Sequence, residues 1–144
     1  KGEKIKNELL FLVDEDTNSF NKIMDAFGLP KTSEQEKNIR SKAIQEATKY
    51  AIEVPYKTMC KAFEAFELCN TMVDIGNPNS VSDAGVGALC IRSAVMGAYL
   101  NVKINASSLK DKVFVDDILQ KADDLLMKTK SMEETILTKV NNKL

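Results

Sequence analysis

Apolar residues recur at spacings of three and four along nearly the whole chain, and no segment shows the period of two that is typical of a β-strand. The first repeat ends at Gly28-Leu29-Pro30, where we expect Gly28 to cap the helix in a left-handed conformation and Pro30 to block its continuation. The sequence therefore predicts an amphipathic first helix whose buried stripe is formed by Ile5, Leu9, Leu12, Val13, Phe20, Ile23, Met24 and Phe27.

Further helices follow from their caps and breaks. Ser33, with Glu36 three residues later, has the capping-box pattern, and the helix that starts there contains Pro55, which predicts one long kinked helix or two nearly collinear ones. A turn cluster at residues 76–80 precedes a helix of small side chains, residues 80–104. The last helix starts at residues 108–111 and carries an apolar seam formed by Val115, Ile118, Ala122, Leu125, Thr129, Met132, Ile136 and Val140. We therefore predict an all-α fold, an antiparallel up-and-down helix bundle with long, partly kinked helices, in one domain over residues 1–144.

Composition and charge narrow the classes of function. A chain of 144 residues with 44% hydrophobic side chains can build the core of one domain. Its 20 basic and 21 acidic side chains are spread evenly, which argues against a nucleic-acid partner or an anionic membrane surface. We find no apolar run close to the roughly 20 residues that span a bilayer, and we expect no membrane partner.

The chain contains no histidine, so Ser-His-Asp and Cys-His catalysis and His-ligated zinc or haem are excluded within it. Its three cysteines, Cys60, Cys69 and Cys90, lack C-x-x-C spacing, and we expect free buried thiols in a reducing compartment rather than disulfides or a metal site. We accordingly predict a cytoplasmic protein with no metal and no cofactor.

Asp16 is the residue that breaks the pattern of the first helix. It falls on the predicted buried stripe, four residues after Leu12 and four before Phe20, whereas Asp14 and Glu15 are expected to point toward solvent or a subunit contact. A carboxylate in apolar surroundings must find a partner or hold its proton at neutral pH, as a general acid–base group does. The pattern leaves both a paired structural carboxylate and a catalytic one open.

One side of the small-sided helix is bare in its middle and polar at both ends. Glycine within a helix costs about 1 kcal/mol relative to alanine, so the bare stretch must serve some purpose. Either it permits close packing of another helix, or it forms a groove for a flat ligand with Asp83, Asn101 and Asn105 as hydrogen-bonding groups. The residues along this side are Asp83, Gly87, Cys90, Ala94, Gly97, Ala98, Asn101 and Asn105.

Three ordered motifs lie at residues 12–31, 76–88 and 97–105. The first contains LVDED and MDAFGLPK, the second reads GNPNSVSDAGVGA, and the third reads GAYLNVKIN. Together they resemble the formimidoyltetrahydrofolate cyclodeaminase family, to which the cyclodeaminase domain of formiminotransferase-cyclodeaminase belongs.

The resemblance implies a folate-dependent ammonia lyase of histidine degradation that converts 5-formimidoyltetrahydrofolate to 5,10-methenyltetrahydrofolate and ammonia. It assigns general acid–base catalysis to the second aspartate of the LVDED motif, Asp16. The candidates for holding the folate substrate are Asn79, Ser80, Asp83, Asn101 and Asn105. The expected partners are the folate, which can be polyglutamylated, a second copy in a homodimer or larger homo-oligomer, and a formiminotransferase domain.

Two alternatives stand beside this interpretation. Methenyltetrahydrofolate cyclohydrolase is a relative of the same fold that adds water to the product, and a non-catalytic helical assembly domain is a different class. The family's domains usually begin with a further helical portion that contains a glycine-rich turn, and residues 1–144 are expected to lack it.

Overall fold

A computed structural model describes all residues from Lys1 to Leu144, and it contains five α-helices, a short 3₁₀ turn and no strand. The prediction of an all-α fold is therefore confirmed. The helix α2 runs unbroken through Pro55, and Ala65 alone separates it from α3. The helices are α1 (Gly2–Gly28), α2 (Glu34–Glu64), α3 (Phe66–Ile75), α4 (Val81–Ala106) and α5 (Lys112–Asn141), with the 3₁₀ turn at Pro78–Ser80.

Polar contacts between neighbouring helices show that they run antiparallel. Along α1 and α2 the paired residues are Glu8 with Lys61, Glu15 with Tyr50, and Phe27 with Arg40. Along α2 and α4 Ala51 contacts Asn105, and along α4 and α5 the pairs are Arg92 with Glu133 and Tyr99 with Asp123. From α1 to α2 and from α4 to α5, residues further along the first helix pair with residues nearer the start of the second, as in an up-and-down bundle.

The core consists of two clusters at opposite ends of the bundle. The first joins α2, α4 and α5 through Ile52, Met59, Ala62, Val95, Ala98, Val102, Ala106, Leu109, Val115, Ile118 and Ala122. The second joins α3, α4 and α5 through Phe66, Val73, Val81, Ala84, Ala88, Ile136 and Val140. The predicted seam of α5 is therefore confirmed and lies against the rest of the chain, whereas α1 adds no buried residue to either cluster.

The helix α1 is rotated relative to the predicted stripe. Its buried residues are Ile5, Ser19 and Ala26, while Val13, Phe20, Met24 and Phe27 are 51–64% exposed. Hence the prediction that these four large apolar side chains face the core is wrong for the single chain. The physical reason is that polar contacts, including the ion pair of 2.7 Å between Lys61 Nζ and Glu8 Oε2, hold α1 against α2 on another side.

The connection between α1 and α2 also corrects one expectation. No glycine has a positive φ, so Gly28 does not form a left-handed cap. Leu29 is extended instead, with φ −63° and ψ 148°, because a residue before proline avoids the helical region. The predicted capping box is confirmed: Glu36 N–H donates to Ser33 Oγ at 3.2 Å, and Ser33 N–H donates to Glu36 Oε2 at 2.9 Å.

The segment Pro78–Ala106 is longer and more apolar than the sequence pattern led us to expect. By length and composition alone it meets the requirements of a membrane span, with a mean hydropathy of 1.3 over 18 residues, of which 28% are buried. In the bundle, α4 packs against α2, α3 and α5. Its apolar side chains are therefore explained by its position as a core helix. A single helix of this kind is weak evidence for a membrane span.

The three cysteines are free thiols. Cys60 and Cys69 are half-buried, but Cys90 is exposed on α4, so the expectation that all three are buried is wrong for Cys90. Burial raises the pKa of the Cys69 thiol above its ordinary value.

Candidate functional site

A cleft of about 290 Å³ lies where α1, α2 and α4 meet, and Asp16 is the only ionisable residue on its wall. The helix α1 contributes one side of the cleft, the region around Pro55 contributes its floor, and the bare stretch of α4 contributes the other side. Its lining residues are Leu9, Leu12, Val13, Asp16, Thr17, Pro55, Thr58, Ala94, Ala98 and Asn101.

The carboxylate of Asp16 has no ion-pair partner within the chain. The residue is exposed. The prediction that Asp16 lies inside an apolar stripe is therefore wrong for the single chain, because α1 is rotated. Apolar side chains of the cleft, among them Leu12 and Val13, still border it.

Glu15 fixes the rotation of α1 that turns Asp16 toward the cleft. It is half-buried and accepts a hydrogen bond from the Tyr50 hydroxyl of α2, contrary to the expectation that it faces solvent or a subunit contact. That bond lowers the pKa of Glu15 and raises the pKa of Tyr50, because it favours the carboxylate and the neutral phenol. The ammonium group of Lys22, which also belongs to α1, lies 4.0 Å from the centre of the Tyr50 ring and adds a cation–π contact between α1 and α2. Since consecutive residues of a helix are turned by about 100°, fixing Glu15 against α2 also sets the direction of Asp16.

The small-sided face of α4 serves both of the purposes considered above, in different parts. A Cβ atom at Gly87 would lie 2.9 Å from Cys69 Sγ, so this position is glycine because α3 packs closely there. A Cβ atom at Gly97 would meet nothing within 4 Å, and Ala94 is exposed on the wall of the cleft. Close packing against α3 therefore explains the small residue at Gly87, whereas the small residues Ala94 and Ala98 line the cleft.

Asn101 lies on the cleft wall, whereas Asn105, one turn later, is engaged elsewhere. The Asn105 Nδ2 group donates a hydrogen bond of 2.8 Å to the carbonyl oxygen of Ala51. In an α-helix this carbonyl would accept from the N–H of residue 55, which is a proline and has none. Asn105 thus supplies the donor that Pro55 removes, and this contact gives it a structural role.

The other predicted substrate-binding residues lie away from Asp16. Ser80 and Asp83 line a second cleft of about 330 Å³ between α3 and α4, while Asn79 lines neither cleft and donates its N–H to Asn77 Oδ1 at 3.0 Å. Asp83 precedes Asn101 by 18 residues on α4, a separation of about 27 Å at the rise of an α-helix. Within one chain, Asn101 is the only predicted substrate-binding residue that lies in the same cleft as Asp16.

Two hydroxyl groups of the cleft were not found from the sequence. Thr17 Oγ1 donates to the Val13 carbonyl at 3.3 Å, and Thr58 Oγ1 donates to the Val54 carbonyl at 3.1 Å, so each can still accept a hydrogen bond from a ligand. Thr17 follows Asp16 directly and could have been proposed on that ground, but Thr58 carries no local signal. No group of three or more Cys, Asp or Glu side chains is placed to hold a metal ion.

Comparison with known proteins connects this geometry to one family. The model of the family described as formiminotransferase-cyclodeaminase matches residues 1–124. A methenyltetrahydrofolate cyclohydrolase of Methylorubrum extorquens is 34% identical over 144 residues, which cover all of this chain and 69% of the relative. The formimidoyltransferase-cyclodeaminase of Gallus gallus is 34% identical over 131 residues, which cover 91% of this chain but only 24% of the relative.

The fold is also that of a solved structure. The formiminotetrahydrofolate cyclodeaminase of Thermotoga maritima superimposes with a TM-score of 0.75 at 24% identity, covering 99% of this chain and 65% of the other. The chain thus spans about two thirds of the cyclohydrolase and of the Thermotoga protein, and about a quarter of the Gallus gallus protein. At this level of identity the structural likeness bears on the fold alone.

Proposed function

The chain belongs to the formiminotransferase-cyclodeaminase family of folate-interconverting enzymes, and on that basis we propose that it forms 5,10-methenyltetrahydrofolate from 5-formimidoyltetrahydrofolate, with release of ammonia, in histidine degradation. The observation that carries the proposal is that Asp16 is the only ionisable residue of the cleft between α1, α2 and α4.

The chemistry needs one group that accepts and then donates a proton. N10 of the folate attacks the formimino carbon, a C–N bond forms, and N10 loses a proton. The amino nitrogen must gain a proton before its bond to the same carbon breaks, so that it leaves as ammonia. A carboxylate beside both nitrogens does both, and we assign this role to Asp16. Because the two nitrogens belong to one bound molecule, proximity supplies much of the remaining acceleration.

The walls of the cleft support a flat, polar substrate. The small side chains of Ala94 and Ala98 leave room for a planar ring, and Asn101 carries an amide that can both donate and accept hydrogen bonds. The hydroxyl oxygens of Thr17 and Thr58 are further acceptors. Ser80, Asp83 and Asn79 would take part only if a second copy of the chain brought them to this cleft.

The experiment that tests the proposal compares Asp16→Asn with Asp14→Asn, a neighbour that is also exposed but lies outside the cleft. Formation of methenyltetrahydrofolate is followed by absorbance, and helix content by circular dichroism. We expect Asp16→Asn to lower kcat by about 10²- to 10⁴-fold with unchanged helix content, and Asp14→Asn to resemble the parent. A folded Asp16→Asn variant with the turnover of the parent would contradict the assignment.

A methenyltetrahydrofolate cyclohydrolase activity is the second candidate. It is supported by the Methylorubrum extorquens relative, which is 34% identical along the entire chain. To test it, the same protein is given methenyltetrahydrofolate in place of the formimino substrate. A cyclohydrolase would add water to the one-carbon bridge, and the absorbance of methenyltetrahydrofolate would fall. Faster turnover of that substrate would replace the lyase assignment.

We further propose a homo-oligomeric, cytoplasmic enzyme that can work with a formiminotransferase. The exposed side chains of Val13, Phe20, Met24 and Phe27 on α1 support self-association, because apolar surface of this extent usually meets a partner. Sedimentation at micromolar concentration tests the assembly.

A second experiment runs the activity assay on residues 1–144 and on a longer form that carries the family's further helical portion. It tests whether residues 1–144 are sufficient for activity. An inactive but assembled protein in both forms would favour the non-catalytic alternative.

A further inference from the structure

A third cleft, of about 400 Å³, is lined by four positively charged side chains and no negatively charged one. We call it the basic cleft. It lies at the end of the bundle where the α1–α2 connection and the α4–α5 connection meet the first turns of α2. Its lining residues are Lys31, Lys37, Arg40, Ser41, Ile44, Gln45 and Lys110.

The cations come from three separate segments, so they are not simply the solvated face of one helix. Lys31 lies between α1 and α2, Lys37 and Arg40 lie on α2, and Lys110 lies between α4 and α5. Like charges that are brought together from separate segments repel one another, and the structure gains when an anion neutralises them.

Arg40 is held in place without losing its charge. Its Nε and Nη2 groups both donate to the carbonyl oxygen of Phe27 at 3.2 Å, and its guanidinium carbon lies 5.4 Å from the centre of the Phe27 ring. A neutral oxygen and an aromatic ring orient the guanidinium but do not neutralise it. Since a guanidinium has five N–H donors, three remain for a ligand.

The nearby carboxylates leave most of this charge uncompensated. Glu34 pairs with Lys37 at 2.6 Å, while Asp111 pairs with Lys49 at 3.6 Å and caps α5. Lys31, Arg40 and Lys110 take part in none of the ion pairs of the chain.

The neutral groups of the basic cleft also present donors. Gln45 Oε1 accepts the backbone N–H of Lys110 at 2.7 Å, which joins α2 to the α4–α5 connection and leaves the amide N–H groups of Gln45 to face a ligand. The Ser41 hydroxyl is a further donor. A volume of about 400 Å³ accommodates a small molecule.

We propose that the basic cleft binds a small anion that carries several phosphate or carboxylate groups. Phosphates and carboxylates both present a cluster of oxyanions. Lysines attract these as point charges, and the Arg40 guanidinium can donate parallel hydrogen bonds to them. Arg40 precedes Pro55 by 15 residues on α2, about 22 Å along the helix, so this site is separate from the Asp16 cleft and does not depend on the proposed reaction.

The test is calorimetric titration of the whole chain with tripolyphosphate and, separately, with citrate at low ionic strength. The decisive variant is Lys31→Gln/Lys110→Gln, which leaves both the Arg40–Phe27 contact and the Lys110 backbone contact in place. Its matched control is Lys128→Gln/Lys130→Gln, which changes the net charge equally at two exposed, unpaired lysines of α5.

We expect one molecule of anion per chain, affinity at least about tenfold weaker in the first double variant, and affinity within about twofold of the parent in the control. Tighter binding of tripolyphosphate would identify a phosphate ligand, tighter binding of citrate a polycarboxylate, and either result supports the site. The proposal would be overturned if neither anion bound. It would also be overturned if the two double variants lost the same affinity, because net charge alone would then explain the attraction.

Discussion

The side-chain amide of Asn105 donates a hydrogen bond to the backbone carbonyl of Ala51, with 2.8 Å between Nδ2 and the oxygen. Pro55 removes the donor that this carbonyl would have inside α2, and a side chain from α4 replaces it. The same contact fixes the register between α2 and α4, the two helices that form the floor and one side of the Asp16 cleft.

Replacing Asn105 by alanine should therefore lower the free energy of unfolding by about 1–3 kcal/mol, because the Ala51 carbonyl is left without a partner. In a Pro55→Ala background the cost should shrink, since residue 55 then supplies its own N–H. Urea denaturation of the four proteins of this cycle measures the coupling. Asn101→Ala, at an exposed position, should stay within about 0.5 kcal/mol of the parent. Equal costs for Asn105→Ala in both backgrounds would show that the bond does not compensate for the proline.

The contact between Glu15 and Tyr50 should matter for catalysis through the direction of Asp16. We expect Tyr50→Phe to lower kcat by about tenfold or more while the protein stays folded, since small misplacements of a catalytic group are costly. Tyr99→Phe is the matched control, because it removes the hydroxyl that Tyr99 donates to Asp123 outside the cleft. Glu15→Gln, which keeps an acceptor for Tyr50, should retain more activity than Tyr50→Phe. Similar kcat values for the Tyr50 and Tyr99 variants would exclude this positioning role.

Stability should decrease at acidic pH. The pKa values of three carboxyl groups lie below the ordinary value of 4.5: that of Glu8 through its bond with Lys61, that of Glu15 through the Tyr50 hydroxyl, and that of Glu36 through backbone N–H groups at the start of α2. The folded state then binds fewer protons than the unfolded state, so this stabilisation is complete above about pH 4.5 and is lost as the pH falls through the folded-state pKa values.

Urea midpoints measured between about pH 6 and pH 3 should therefore decline with pH, and the decline should be shallower in Tyr50→Phe. A midpoint that stays constant over this range would contradict the pKa shifts.

The variant Ala94→Leu distinguishes two explanations for the small residue at this position, an open ligand cleft and close helix packing. Ala94 is exposed on the cleft wall, so the added carbon atoms should fill the cleft and abolish folate binding while the free energy of unfolding changes by less than about 0.5 kcal/mol. Gly87→Ala is the contrasting variant, because its Cβ would lie 2.9 Å from Cys69 Sγ, and it should lower stability rather than binding. Folate binding and thermal unfolding are measured on the same samples. An Ala94→Leu protein that melts early yet binds folate normally would reject the cleft as the folate site.

Much of the fold followed from local signals. The capping box at Ser33, the break at Leu29-Pro30 and the apolar seam of α5 all predicted what the structure contains, because each depends on interactions within one or two helical turns. The LVDED motif also singled out Asp16 from the sequence alone, and its catalytic role stays a prediction.

The rotation of α1 and the division of the predicted substrate-binding residues required the tertiary structure. The partner of Asn105 lies 54 residues away, and that of Glu15 lies 35 residues away, so neither contact leaves a trace in the local pattern. Periodicity shows that a helix has an apolar side, but α1 offers two sides that can be buried in part. The choice between them is a difference in free energy between two ways of packing α1 on α2. It depends on groups such as Tyr50 and Lys61 of α2, which no pattern within α1 contains.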